Sequence, residues 1–173
     1  VEGVLAMGDT LRFFGRGNGA ARRDLIALNA TCDVALPELL AYLQDPQRIE
    51  PPSPGNVVQY NLGELGGVRL GFTDATAHGD AVLYSATAET SEDASSDGPV
   101  TGSVLGVISR AGSVRFTVLT DASGRALQEK VEGVLLSPTS PRKAYIVIDA
   151  DDATRPSELC EVELSGNWSD GLS

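Results

Sequence analysis

Val131–Asp152 reads VEGVLLSPTSPRKAYIVIDADD, a hairpin spelled out in sequence. A short apolar run, Val131–Leu136, leads into a Pro/Ser turn, and a second, Ala144–Ile148, ends in a burst of acids. Val, Ile and Leu in short runs suit a pleated strand, and Pro and Ser suit the turn between. Working outward, Val1–Asn18, VEGVLAMGDTLRFFGRGN, has the same design around Gly8-Asp9. So does Phe72–Thr90, FTDATAHGDAVLYSATAET, around Gly79-Asp80. Three copies of one hairpin in 173 residues predict a repeat protein.

More short strands lie between the copies. Asp24–Thr31 alternates apolar and polar residues after the glycine-rich loop Gly15–Ala21. Ala35–Gln44, ALPELLAYLQ, sets Leu36, Leu39, Leu40 and Leu43 at helical spacing and predicts one short amphipathic helix. A proline-rich loop, Asp45–Gly55, precedes a strand at Asn56–Leu62 with Val58 and Tyr60 on one face. Thr101–Ser109 and Ser113–Leu119 read as a further hairpin, and Leu159–Leu164 as a last strand. Ser91–Gly98 is a polar, acidic loop, and Asn167–Ser173 a polar tail.

Many short strands with regular turn signals indicate a sandwich, a barrel or a propeller. Unit spacing favours the propeller. Glu2 and Asp74 are 72 positions apart, Asp74 and Glu132 58. Setting aside the helix and the proline loop leaves about 50 residues per unit, near the known blade repeats. The expected fold is therefore all-β: a β-propeller of about three four-stranded blades, near 1–66, 67–124 and 125–173, with one helix inserted near 35–44. Three blades cannot close a ring. Open strand edges and blade faces predict self-association, or further blades on the N-terminal side. A chain opening on Val1 inside a strand is what a processed or partial product would give.

Composition narrows the chemistry. With 42% hydrophobic residues but only 5% aromatics, the core must be built from Val, Leu, Ile and Ala. The net charge of −11, with no basic segment, argues against nucleic acid and anionic membrane as partners. No apolar run is long enough to span a bilayer as a helix. Cys32 and Cys160 form no C-x-x-C pair and there is one histidine, His78, which excludes a structural zinc site. The two thiols are expected to be buried and small, with a disulfide left open.

Aligning the hairpins brings acids and amides into matching places. The first strand carries Glu2, Asp74 or Glu132; the second ends in Asn18, Glu89 or Asp149–Asp152. In a propeller these positions converge on one mouth of the central channel. Convergent carboxylates need neutralising, and a hard cation with oxygen ligands does so, Ca²⁺ tolerating irregular geometry best. Glu2, Asn18, Asp74, Glu132 and Asp149 are the candidate ligands. Glu89 would be a spare carboxylate for acid–base work, and Arg16 a clamp for an anionic substrate. The competing reading has all of them capping turns. Other motifs carry less. GRGNG at 15–19 lacks the following helix of a nucleotide loop. His78 has no nucleophile elbow for company and reads as a turn residue. Asn29-Ala30-Thr31 and Asn167-Trp168-Ser169 match the glycosylation sequon. Trp168 is expected to pack on the last unit.

KVEGVLLSPTSPRKAYIVIDADDATRPSELCEVEL, 130–164, resembles the last blade of bacterial six-bladed β-propellers of the esterase-like phytase type. VEGVLAMGDTLRFFGRGNG and GFTDATAHGDAVLYSATAET are similar to preceding blades of that family. The resemblance implies that this chain corresponds to the C-terminal half of a ring, in a bacterial protein of periplasm or cytoplasm. Calcium-dependent lactonases and gluconolactonase-like propellers share the architecture. There a central metal is held by acids and amides, for which Glu2, Asn18, Asp74, Glu89, Glu132 and Asp149 are the matching positions here. The implied activity is metal-dependent hydrolysis of a small ester, lactone or phosphoester. The alternative is a non-catalytic propeller that binds a small ligand or a protein.

Overall fold

The computed structural model describes residues 1–17, 27–90, 98–150, 152, 154–166 and 168. Among these the chain is all-β apart from one helix. Three antiparallel sheets follow in chain order. Sheet one holds β1 (Gly3–Met7), β2 (Thr10–Gly15), β3 (Asn29–Ala35) and β4 (Gly55–Tyr60), with α1 (Leu36–Gln44) between the last two. Sheet two holds β5 (Glu64–Leu65), β6 (Val68–His78), β7 (Ala81–Glu89), β8 (Val100–Ile108) and β9 (Val114–Val118). Sheet three holds β10 (Lys130–Leu136), β11 (Lys143–Asp149) and β12 (Glu158–Glu163). Each is a meander in which chain neighbours are also hydrogen-bonded neighbours.

The three sequence hairpins are β1–β2, β6–β7 and β10–β11, turning at Gly8-Asp9, Gly79-Asp80 and the Pro/Ser segment. β3 starts later than its alternation suggested, at Asn29, and residues 24–26 lie outside the described part. Residues 91–97 of the acidic loop and most of the tail lie outside it too.

Sheet two lies between the other two, and side-chain alternation explains how it serves both. Along β7, Tyr84, Ala86 and Ala88 point to sheet one; together with Leu70 and Phe72 of β6 they meet Leu5 and Phe14 of that sheet. Ala81 and Leu83 point the other way, to Val131, Val134, Ala144, Ile146 and Ile148 of sheet three. The few aromatics are concentrated on the first side. Phe72 meets Phe14, Tyr60 and Tyr84 edge to face, with ring centroids 5.4, 5.8 and 5.3 Å apart. On the second side two hydroxyl pairs share the interface, Thr73 with Ser85 at 2.9 Å and Thr87 with Ser103 at 2.8 Å.

The first long strands of the sheets meet edge on. β6 packs against β1 on one side and β10 on the other. Asp74 of β6 fills the gap, while its neighbours present Gly3 and Gly133 there. A Cβ at Gly3 would lie 3.0 Å from the Ala75 nitrogen, so only glycine lets β1 come this close. The Asp74 Oδ2 accepts a hydrogen bond from the Val134 amide at 2.8 Å.

Several sequence expectations are corrected. The leucine stripe of α1 does not enter a core: no residue of the helix is buried, and Leu40 and Leu43 are exposed. Its nine residues pack chiefly against β3, which gives the stripe too little surface to bury. Asn29 is not a surface sequon. It is buried, its Nδ2 donating to the Leu70 carbonyl at 2.7 Å and its Oδ1 accepting from the Phe72 amide at 3.0 Å. Cys32 and Cys160 are free and half-buried, in sheets one and three. Trp168 packs at the edge of the third-sheet core and also reaches sheet two, its ring 4.9 Å from that of His78.

Candidate functional site

One polar cluster draws on all three sheets. Arg16 follows the end of β2, Glu89 ends β7, and Lys130 and Glu132 open β10. The Arg16 guanidinium donates to Glu89 Oε2. Lys130 Nζ lies 4.0 Å from the same oxygen and 3.0 Å from Glu132 Oε1. Glu89 Oε1 accepts from the Gly98 amide at 2.9 Å. Burial is deep at one end of the chain of charges and shallow at the other: side-chain exposure is 1% for Glu89, 7% for Arg16 and 29% for Glu132.

Local structure holds Arg16 in place. Its stem crosses the β6 backbone at Gly71, where a Cβ would lie 2.7 Å from Arg16 Cγ. Asn29 secures the same loop, accepting from the Gly17 amide at 3.2 Å while bonded to β6. Two cations face two anions, so the cluster is close to neutral and each buried charge has a partner.

The predicted site residues are only partly brought together. Arg16, Glu89 and Glu132 join the cluster; Asn18 lies outside the described residues. Asp149 is the cross-strand neighbour of Lys130, which puts it at the same end. Glu2 precedes β1, its amide bonded to the Phe14 carbonyl at 2.9 Å. Asp152 caps its own turn through Thr154. Asp74 differs most. The ladder slips between Phe72 and Asp74 in β6 and between Val131 and Gly133 in β10. Register therefore equates Thr73, not Asp74, with Glu132, and Asp74 with Gly133. The expected match paired acid with acid, whereas position by position FTDA and VEGV align Thr73 with Glu132, the bulge residue of each strand.

These donors do not fit a hard cation among the described residues. No group of three acids, histidines or cysteines there converges as a metal would need. Glu132 is matched by Lys130, and Asp74 by backbone amides. Sequence reasoning missed Lys130, although its two-residue spacing from Glu132 at a strand start was a usable signal.

Asp74 makes a testable case for a structural acid. Burial pushes its carboxyl above the usual range, against the amides of Val134 and Ala75, which lower it. A raised folded pKa means that stability falls as pH rises through it. We expect Asp74→Asn to hold or gain stability at pH 7, and wild type to improve relative to it as pH falls through the carboxylate range. Asp74→Ala leaves the Val134 amide orphaned and should cost about 1–3 kcal/mol. Urea melts of the three proteins between pH 4 and about pH 7 read this; a wild type that weakens against Asp74→Asn on acidification contradicts it.

Away from the cluster, a cleft of about 630 Å³ opens between sheets one and two, at the Gly79-Asp80 turn. Leu5, Phe14, Tyr60 and Ile108 are among its walls. Arg12 in it is held by Asp33 in two bonds, 2.7 and 2.8 Å, which keep the Asp33 carboxyl below the usual range.

No curated protein and no solved structure matches the chain. Residues 1–153 match the model of a family of unknown function, DUF6910, and the chain belongs to that family.

Proposed function

We propose that the three sheets are consecutive blades of a β-propeller, half of a six-bladed ring, and that the molecule is a binding module for a small polar solute at one channel mouth. Three meanders in chain order, stacked face on face with their first long strands adjacent, support the propeller. The observation that carries the binding reading is the gradient of burial within the cluster. Arg16, Glu89 and Lys130 are all buried, whereas Glu132, bonded to Lys130, is 29% exposed and forms the accessible end. An accessible carboxylate backed by a buried ammonium complements a solute that carries a positive charge, such as an amine or an amino acid. The net charge of −11 disfavours anions further.

The reading ranks binding above metal-dependent hydrolysis because Glu89, the expected spare carboxylate, is shielded and bonded through both oxygens. A melt-shift screen of amino acids, amines, sugar acids and phosphoesters tests it. A solute at about 100 times its Kd should add about 2.7 kcal/mol of stability. That gain should vanish in Glu132→Gln, and chelator should leave the unliganded melt unchanged. Metal-dependent turnover of an ester, or a screen in which only phosphoesters shift the melt, would overturn it.

A further inference from the structure

We propose that the cleft between sheets one and two is a second binding site, for a small organic acid with an apolar body. Ala81 opens β7 beside this cleft, and Glu89 of the polar cluster ends the same strand. Eight residues of extended strand separate them, a distance of about 27 Å. One small solute therefore cannot touch both places. At about 630 Å³ the cleft falls within the size range of small-molecule pockets, and most of its walls are apolar, as theirs are. Leu5, Phe14 and Ile108 line it as buried core residues, while Met7 and Val58, which line it too, are 47% and 45% exposed. Folding has left these two side chains partly in water, and an apolar ligand would cover them.

The polar groups among the walls are donors. Arg12 gives its Nε and one terminal nitrogen to Asp33, and its other terminal nitrogen bonds no described residue. The two bonds to Asp33 fix the guanidinium plane, so the remaining donor is held in place. Tyr60 of β4 also lines the cleft and is near enough to act on the Arg12 charge. Its hydroxyl likewise bonds no described residue. Arg110 is 82% exposed and pairs with Asp80, which is 64% exposed. An exposed pair of this kind is weak, so the guanidinium can turn to a ligand. Each arginine already faces an aspartate, so the attraction comes from these spare donors rather than from net charge. Donors on two guanidiniums and a phenol, set around apolar walls, complement a carboxylate carried on an apolar body. The overall charge of −11 opposes an acid only at long range, and at about 0.15 M salt it is screened beyond about 8 Å.

Titration calorimetry of the 173-residue chain with octanoate and 2-naphthoate, one flexible acid and one flat, tests the proposal. At least one should bind with a Kd below about 1 mM, and the alcohol and the amine of the same skeleton should bind at least about tenfold more weakly. Tyr60→Phe keeps the ring that meets Phe72, and Arg110→Gln changes an exposed side chain. Together in one chain they should weaken the acid at least about tenfold. Val58→Asp, at a partly exposed position, should abolish binding by setting a carboxylate in the cleft. Both chains should keep the wild-type circular dichroism. Glu132→Gln, in the polar cluster, should bind the acid as wild type does. Failure of both acids to bind by about 1 mM overturns the proposal. So does an alcohol or amine that matches the acid, or binding that survives either cleft variant in folded protein. Binding lost in Glu132→Gln would move the acid to the polar cluster and overturn it as well.

Discussion

Arg16→Met should lower the melting temperature by roughly 6–20 °C. Glu89 is 1% exposed, and its Oε2 is held by the Arg16 guanidinium. Without it the carboxylate keeps the Gly98 amide at 2.9 Å and the Lys130 ammonium at 4.0 Å, too far for a good hydrogen bond. Removing one partner of a buried pair costs about 3–5 kcal/mol, mostly as an uncompensated charge. For a chain of this size each kcal/mol moves the midpoint by about 2–4 °C. Arg16→Met combined with Glu89→Leu should be milder than the first change alone, since the orphaned charge is gone. That sign of coupling separates a buried pair from a surface one, which would be worth about 0–1 kcal/mol. Thermal and urea unfolding of both variants would decide it; a single variant within about 1 kcal/mol of wild type refutes the buried pair.

Gly106→Ala should destabilise by about 3 kcal/mol, at the upper end of what overpacking costs. Gly106 on β8 is covered by the Tyr84 ring of β7, and a Cβ there would lie inside the ring's van der Waals surface. The ring cannot move aside, because it is fully buried and pinned edge to face on Phe72 at 5.3 Å. Tyr84→Leu in the same chain frees the space, so the double variant should cost less than the sum of its parts. Tyr84→Phe alone should gain about 1 kcal/mol, since it removes a buried hydroxyl that finds no partner among the described residues. Burial also raises that hydroxyl's pKa well above the usual tyrosine value, so it stays neutral. A silent Gly106→Ala would mean that the two strands can separate at this point.

The hairpins were legible because strand periodicity and Gly-Asp turns are local. Val131–Asp152 predicts its own strands from its residues alone, and β10 and β11 fall within two residues of that reading. Whatever depends on distant partners was not legible. Arg16 and Glu89 are 73 residues apart, and nothing near either announces the other. Asp74 was matched to Glu132 because both are acids, whereas the equivalent bulges make Thr73 the counterpart of Glu132. The leucines of α1 followed helical spacing faithfully, but spacing says nothing about whether a surface is there to receive them. Glu89 and Glu132 do stand in one cluster, while the Lys130 that lies between them is a single residue without a motif.

Asp74 between Gly3 and Gly133 acts as an indexing key. The segment VEGV occurs twice, at 1–4 and 131–134, on the two strands that flank β6. Near-identical units invite docking in the wrong order or out of step, a recognised hazard of repeat chains. A slip of two residues along β6 would carry the carboxylate about 7 Å from the amide that receives it. It would also drive a side chain into backbone where glycine now stands. The two VEGV segments are not interchangeable either, since the Asp74 Oδ2 bonds the amide of Val134. One off-pattern acid thus distinguishes the two copies and fixes the step between sheets, so the chain tolerates repetition without ambiguity.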